Sequence, residues 1–346
     1  MRINSFLICT LIIFVFSTPI FAFEGNEKSE IDILKNILST SHDFNELLSH
    51  KANNKSVKAD GAVGRNKKKF TEVSTQRDSL WLLRRAIIEG DRNKVEYVIR
   101  AMEYAFKYQE KAGNFKNSLG IKRKRASSAD SFFLQAYGNI YLLIEASDFR
   151  AEFLPRLKRL TPKLKKALKW LDKNKHNLYK MDKKAPNRLA FNGLAFLLNG
   201  YILGNNSYVE TGERFFSEVM KMQAKEGIFL EKGGYDSSYQ AVVNYNLTRA
   251  LFYLQNEKLK LKISKSLKLG TEWELSRIED SGRVKAEGNK RTGLKQEKFL
   301  GKFKDINYPE VALSLYYWGA VHNDNKVLNI ADKVVGYAVR HYKSNR

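Results

Sequence analysis

The feature that most restricts this chain is an alternation between two kinds of helical segment. Leu80 to Ile88, Phe132 to Ile144, Leu189 to Leu203, Ala241 to Leu254 and Val311 to Trp318 are apolar nearly all round. Between them, Val95 to Phe106, Phe153 to Leu171, Tyr208 to Met222, Leu259 to Leu275 and Val327 to Val339 each carry a single apolar stripe and a charged outer face. A helix that is apolar all round must be buried, whereas one with a single stripe lies outside. Buried-then-outer, repeated about five times, describes helical hairpins packed as two concentric layers. The expected fold is therefore all-α, an (α/α) toroid or incomplete helical barrel of about five to six hairpins. A simple helical bundle or a helical solenoid would satisfy the same hydropathy. Gly90-Asp91 should break the first pair, with Asp91 capping the helix that follows. Arg277 to Asn289 departs from the pattern: turn residues between short alternating runs predict a small β-hairpin projecting from the helical body.

The N-terminus has a different character. Arg2, the apolar run Phe6 to Phe16 and the small residue Ala22 read as a secretory signal over residues 1–22, with an uncut anchor as the alternative. Periplasmic or secreted location is expected, with no transmembrane segment once the signal is removed. Residues 23–78 would hold an N-terminal helical stretch and, over Lys51 to Lys69, a basic linker or lid; residues 79–346 would form the helical domain. The sole cysteine, Cys9, lies inside the signal, so disulfides, cysteine–metal sites and a cysteine nucleophile are excluded for the mature chain. Stability must come from a large core. With 61 Lys+Arg against 37 Asp+Glu the formal charge is +24, which favours a polyanionic partner: acidic polysaccharide first, anionic lipid or nucleic acid otherwise. Lysine used merely as a solvating residue is the plain alternative. A monomer is expected.

Three segments carry polar residues where the pattern demands burial. On a helix over Asn187 to Leu203, the spacing puts Arg188, Asn192, Ala195 and Asn199 within about 60° of one another. Buried polar groups without partners cost about 1–3 kcal/mol each, so this stripe must face a cavity or bond helix to helix. The stretch Gly233-Gly234-Tyr235-Asp236-Ser237-Ser238-Tyr239-Gln240 is a polar turn feeding another buried helix. Asp236 or Ser237 would cap that helix, and Ser237, Gln240, Asn244 and Thr248 share a face. The third segment, Gly288-Asn289-Lys290-Arg291-Thr292-Gly293, precedes Gln296, Glu297, Lys302 and Lys304. Its glycines permit close approach of a ligand, and Arg291 could fork a carboxylate or sulfate; an ordinary basic loop is the alternative. It lacks the phosphate-loop pattern, so no nucleotide is expected. His42, His50, His176, His322 and His341 join none of these segments, zinc-hydrolase spacings are absent, and no metal or cofactor is expected.

The layout resembles the (α/α)-toroid polysaccharide lyases, the alginate-lyase-like group, over residues 79–346, in architecture and style of site. That resemblance implies β-elimination on a uronate glycan, with a tyrosine moving the proton and Asn, Arg, His or Gln neutralising the carboxylate. The matching residue types here are Tyr239, then Tyr235, with Arg188, Asn187 and Asn192. Asn289 and Arg291 would hold a neighbouring sugar, with Gln240, Asn244, Glu297 and Lys302 completing substrate binding. The histidine often found beside the asparagine in that group is missing. A tyrosine of ordinary pKa, near 10, is a poor base at neutral pH and would need nearby cations to lower it. The rivals are a glycoside hydrolase using Asp236 with Glu231 or Glu297, and a non-catalytic polyanion-binding protein.

Overall fold

The computed structural model of the protein describes residues 29–51, 57–58, 60–63, 73–115, 126–295, 297–299 and 302–344. The expected signal at 1–22 and most of the basic segment 51–69 lie outside the described residues. The fold is all-α. The helices are α1 (Glu30–Thr40), α2 (His42–Lys51), α3 (Val73–Gln76), α4 (Ser79–Glu89), α5 (Arg92–Lys107), α6 (Ala126–Ala146), α7 (Arg150–Arg159), α8 (Thr161–Lys173), α9 (Lys175–Asp182), α10 (Pro186–Leu203), α11 (Asn206–Met220), α12 (Ser237–Leu251), α13 (Glu257–Ser276), α14 (Tyr308–His322) and α15 (Asn325–Ser344).

The expected division into buried and outer helices holds. Almost every side chain of α12 is buried, and most of α10 and α14 likewise, whereas α5, α8, α11 and α15 bury one face. Gly90 ends α4 in the left-handed conformation and Asp91 caps α5 through the Lys94 amide. The single helix expected over Phe153 to Leu171 is two, α7 and α8, because the chain turns at Leu160 and Pro162 starts α8 afresh. Buried helices pack in chain order, α4 on α6, α6 on α10, α10 on α12 and α12 on α14. The first hairpin touches both neighbours: α1 packs on α4 and α14, and α2 on α4 and α15.

No strands form over 277–289, contrary to expectation. That segment makes a single bridge, Ile278 to Val284, and it is one of four copies of the same turn. Val57–Val63, Gln109–Phe115 and Gln223–Phe229 make the same bridge at the same spacing. Each copy has a glycine at its fifth position with positive φ: Gly61, Gly113, Gly227 and Gly282. A Cβ there would stand 2.0 to 2.4 Å from the carbonyl oxygen of Arg100, Lys166, Leu269 or Lys333, which belong to α5, α8, α13 and α15. Each turn thus seats directly on an outer helix, and only glycine permits both the dihedral and the approach. The one antiparallel strand pair among the described residues, β1 (Lys298–Phe299) with β2 (Lys302–Phe303), is two residues long on each side.

Candidate functional site

The segments that looked suited to chemistry separate into two clusters, and a third, which sequence reasoning passed over, forms the recess. The first cluster joins the start of α12 to the loop after Gly288. Asp236 caps α12 through the Tyr239 amide (3.2 Å) and also accepts the amides of Arg291 and Thr292 (2.9 Å each) and the Thr292 hydroxyl (2.8 Å). Its oxygens are thus spent on three backbone amides and one hydroxyl, which makes it a structural clamp rather than a free carboxylate. Asn289 Oδ1 accepts from the Ser237 amide (3.0 Å) and hydroxyl (3.1 Å). Arg291 pairs with buried Glu231 and, through Nε at 2.5 Å, with Glu297. Its guanidinium also stacks 4.3 Å from the Tyr239 ring centre. Lys304 bridges Glu297 (2.8 Å) and the Tyr239 hydroxyl (3.1 Å).

The electrostatics of this cluster run against a tyrosine base. Burial pushes the Tyr239 phenol well above its usual value, and the nearby Arg291 offsets only part of that. Arg291 and Lys304 are occupied by Glu231 and Glu297, so their charge is not free to stabilise a phenolate. The Arg291 hydrogen bond holds Glu297 down at about 2, against the opposing effect of burial, while burial raises Glu231. Tyr235 stands apart. Its hydroxyl donates to the Glu287 carbonyl (3.2 Å), and its ring lies under Arg277 and against Trp273, which ties down the 277–289 segment. Lys302 lies in β2.

The second cluster lies where α6, α9 and α10 meet. Buried Asp182 accepts from the Ser128 hydroxyl (3.2 Å) and from Asn192 Nδ2 (3.0 Å), and pairs with Arg188 at 3.3 Å. Asn192 Oδ1 accepts from the Ser131 hydroxyl (2.6 Å), and Asn199 Nδ2 donates to the Leu134 carbonyl (2.8 Å). The expected cavity stripe on α10 is therefore mostly helix-to-helix bonding toward α6. Asn187 is buried, and its Oδ1 has no partner among the described residues. Arg188 alone turns outward, over the Phe132 ring at 5.9 Å. The structure brings Tyr239 and Arg291 together, while the contacts of Arg188 are with Asp182 and Phe132.

On α12 the expected face is also displaced. Gln240 takes the Phe229 amide (2.8 Å) and donates to the Gly227 carbonyl (3.2 Å), and Asn244 donates to Glu274 of α13 (2.7 Å). Both residues pin outer structure, and neither is among those that line the recess. The face of α12 that does is formed by Tyr245, Asn246 and Arg249. With Arg77, Asp78, Trp81 and Arg84 before and on α4, Gln135 of α6, Phe191 of α10, and Asn307 and Glu310 at the start of α14, they line a recess of about 120 Å³. At ~30 Å³ per water, that admits one end of a ligand, the remainder lying over the mouth. Arg84 donates to the Tyr245 hydroxyl and sits between the Trp81 and Tyr245 rings, 4.6 and 5.2 Å from their centres. Asn307 donates to Glu310. Two buried atoms of the lining residues have no partner among the described residues, Arg84 Nε as donor and Asn307 Oδ1 as acceptor. The floor is closed by Arg249, whose guanidinium forks Glu30 of α1 at 2.6 and 3.2 Å; Tyr253 and Tyr317 donate to the same carboxylate.

The sequence pattern does not show this recess because Leu80 to Ile88 reads as nearly all apolar. The available signal was Arg77, Trp81 and Arg84, spaced to share one helix face. Among the described residues no cluster of histidines and carboxylates is suited to a metal ion, and no helix is long and apolar enough to cross a membrane.

No family model matches the chain, and no curated protein does. Among solved structures it is similar to a sugar epimerase from a ruminal bacterium, with a TM-score of 0.51 and 12% identity, over 85% of this chain and 87% of that one. At that identity the likeness is one of fold.

Proposed function

We propose that this chain is an enzyme acting on a carbohydrate whose end enters the recess lined by Arg84, Tyr245 and Glu310. The observation that carries the reading is the make-up of the recess itself. Trp81 and Phe191 give apolar ring faces of the kind on which sugars stack. Arg84 and Asn307 supply an unpaired donor and an unpaired acceptor, and Glu310 supplies a carboxylate in the lining. The fold likeness to a sugar epimerase agrees with this. The packing order, with the first hairpin against both the second and the last, supports reading the architecture as a closed (α/α) toroid of six hairpins. Export through residues 1–22 belongs to the same proposal.

The chemistry that fits is removal of a proton next to a carbonyl or carboxylate. Glu310 is the proposed proton acceptor, and Arg84 with Tyr245 would hold the oxyanion that develops. Burial keeps Tyr245 protonated, although Arg249 and Arg84 pull the other way, so it acts as a donor. Return of the proton to the opposite face is epimerisation; loss of a β-substituent is elimination. β-Elimination on an acidic polysaccharide by Tyr239 is the second reading, favoured by the Arg291 and Lys304 contacts to that ring. It requires Tyr239 to act as an acid, not a base.

Incubation of the chain with neutral and acidic saccharides in heavy water tests both readings. Epimerisation puts one deuterium into an isomer of the substrate, elimination yields an unsaturated fragment, and hydrolysis adds water. Glu310→Gln is expected to lower kcat about 10²- to 10⁴-fold. Turnover unchanged in Glu310→Gln but abolished in Tyr239→Phe would move the site to the Arg291 cluster. No turnover of any saccharide would remove the proposal.

A further inference from the structure

Arg84 is 2% exposed and, among the described residues, no carboxylate oxygen comes within ion-pair distance of it. A buried guanidinium is ordinarily paired, because leaving one unpaired costs several kcal/mol. The nearby acids are engaged elsewhere. Glu30 is forked by Arg249, Asp78 lies 3.9 Å from Arg77, and Glu310 is bonded by Asn307. Arg84 spends one nitrogen on the Tyr245 hydroxyl and packs its faces on Trp81 and Tyr245. That fixes the plane of the guanidinium while Nε stays unpaired in the recess wall. A rigid, oriented guanidinium with one unpaired nitrogen in the wall of a small recess suits one planar or tetrahedral anion.

We infer that Arg84 binds an anionic substituent, a carboxylate or a sulfate ester, on the sugar residue that enters the recess, so that the enzyme selects acidic over neutral saccharides at this one position. This deepens the proposed function and rests on the recess being a sugar site. The small volume supports it, since one substituted ring end fills the space and brings its charge to Arg84.

The test is direct binding of three disaccharides to the full chain, read by thermal shift and calorimetry. One ends in a uronate, one in a sulfated hexose, and one in the matching neutral hexose. The uronate or the sulfated sugar should bind at least tenfold more tightly than the neutral one, and Arg84→Gln should erase the difference. Arg84→Lys keeps the charge but loses the fork, and should keep only part of the preference. If Arg84→Gln does not fold, as judged by circular dichroism, the lysine variant carries the test. Neutral and acidic sugars binding within threefold of each other would overturn the role of Arg84 while leaving the recess a sugar site. So would an undiminished preference in folded Arg84→Gln or, where that variant does not fold, in Arg84→Lys. Binding of none of the three would overturn the sugar site and this inference together.

Discussion

Glu274 of α13 is fully enclosed between Asn244 and Ser314, both of which donate to one of its oxygens at 2.7 and 3.0 Å. Burial pushes its carboxyl up to about 8, the two hydrogen bonds opposing only part of the effect. A carboxyl whose folded value lies above its unfolded one gives stability that is complete below the unfolded value and is lost as pH rises through the folded one. The protein should therefore lose stability between about pH 4.5 and pH 8 through this group. Each tenfold difference in proton affinity is worth ~1.4 kcal/mol, so Glu274→Gln should flatten that slope and raise the melting temperature at pH 8 relative to pH 5. A melting-temperature profile identical to that of the parent would refute the assignment. The same environment explains why single residues misled the sequence reading. Asn192, Gln240 and Asn244 lie on buried helices as expected, but a helix between two layers has two sides on which a polar group can be satisfied. Hydropathy does not say which side faces the recess. Arg84 is hidden for the opposite reason, since it stands beside Arg85 in an otherwise apolar run and nothing in an arginine shows that it lacks a partner.

At the scale of elements, helices and their burial class were legible, because a periodicity over 15 or so residues averages out local exceptions. The four matching turns were not, although each holds a glycine at one fixed position; their remaining residues differ, and the contact that demands the glycine is made to a helix remote in sequence. The break between α7 and α8 was missed for want of weight on Pro162. The turns permit a graded test. Gly227 has a φ of 89° and a would-be Cβ only 2.3 Å from the Leu269 carbonyl, whereas Gly90 has a φ of 63° and open space around it. Gly90→Ala should cost about 1 to 2 kcal/mol, the ordinary left-handed penalty, and Gly227→Ala clearly more, since α13 must also move away. Equal losses in urea unfolding would show that the seating on α13 carries no weight.

At the scale of the whole molecule, the first described helix is tied to the last third of the chain. Glu30 lies under α12 and α14, bonded to Arg249, Tyr253 and Tyr317, residues 219 to 287 positions away, and α2 packs on α15. Removing that carboxylate would strand the buried Arg249 charge, so Glu30→Ala should cost about 3–5 kcal/mol; a cost under 1 kcal/mol by chemical denaturation would show that the contact is incidental. None of this could be read from sequence, because Glu30 opens a segment of ordinary amphipathic character and its partners are far along the chain.

The position of Glu30 also sets an order of events. A ribosome delivers this residue early and its three partners late, so the opening helix must wait, undocked, until the final third has been synthesised. The domain cannot lock in stages from its front end. Docking of that helix is a long-range closure, slow by the usual dependence of folding rate on contact separation, and a nascent chain stalled before α12 would leave that carboxylate with nothing to grip.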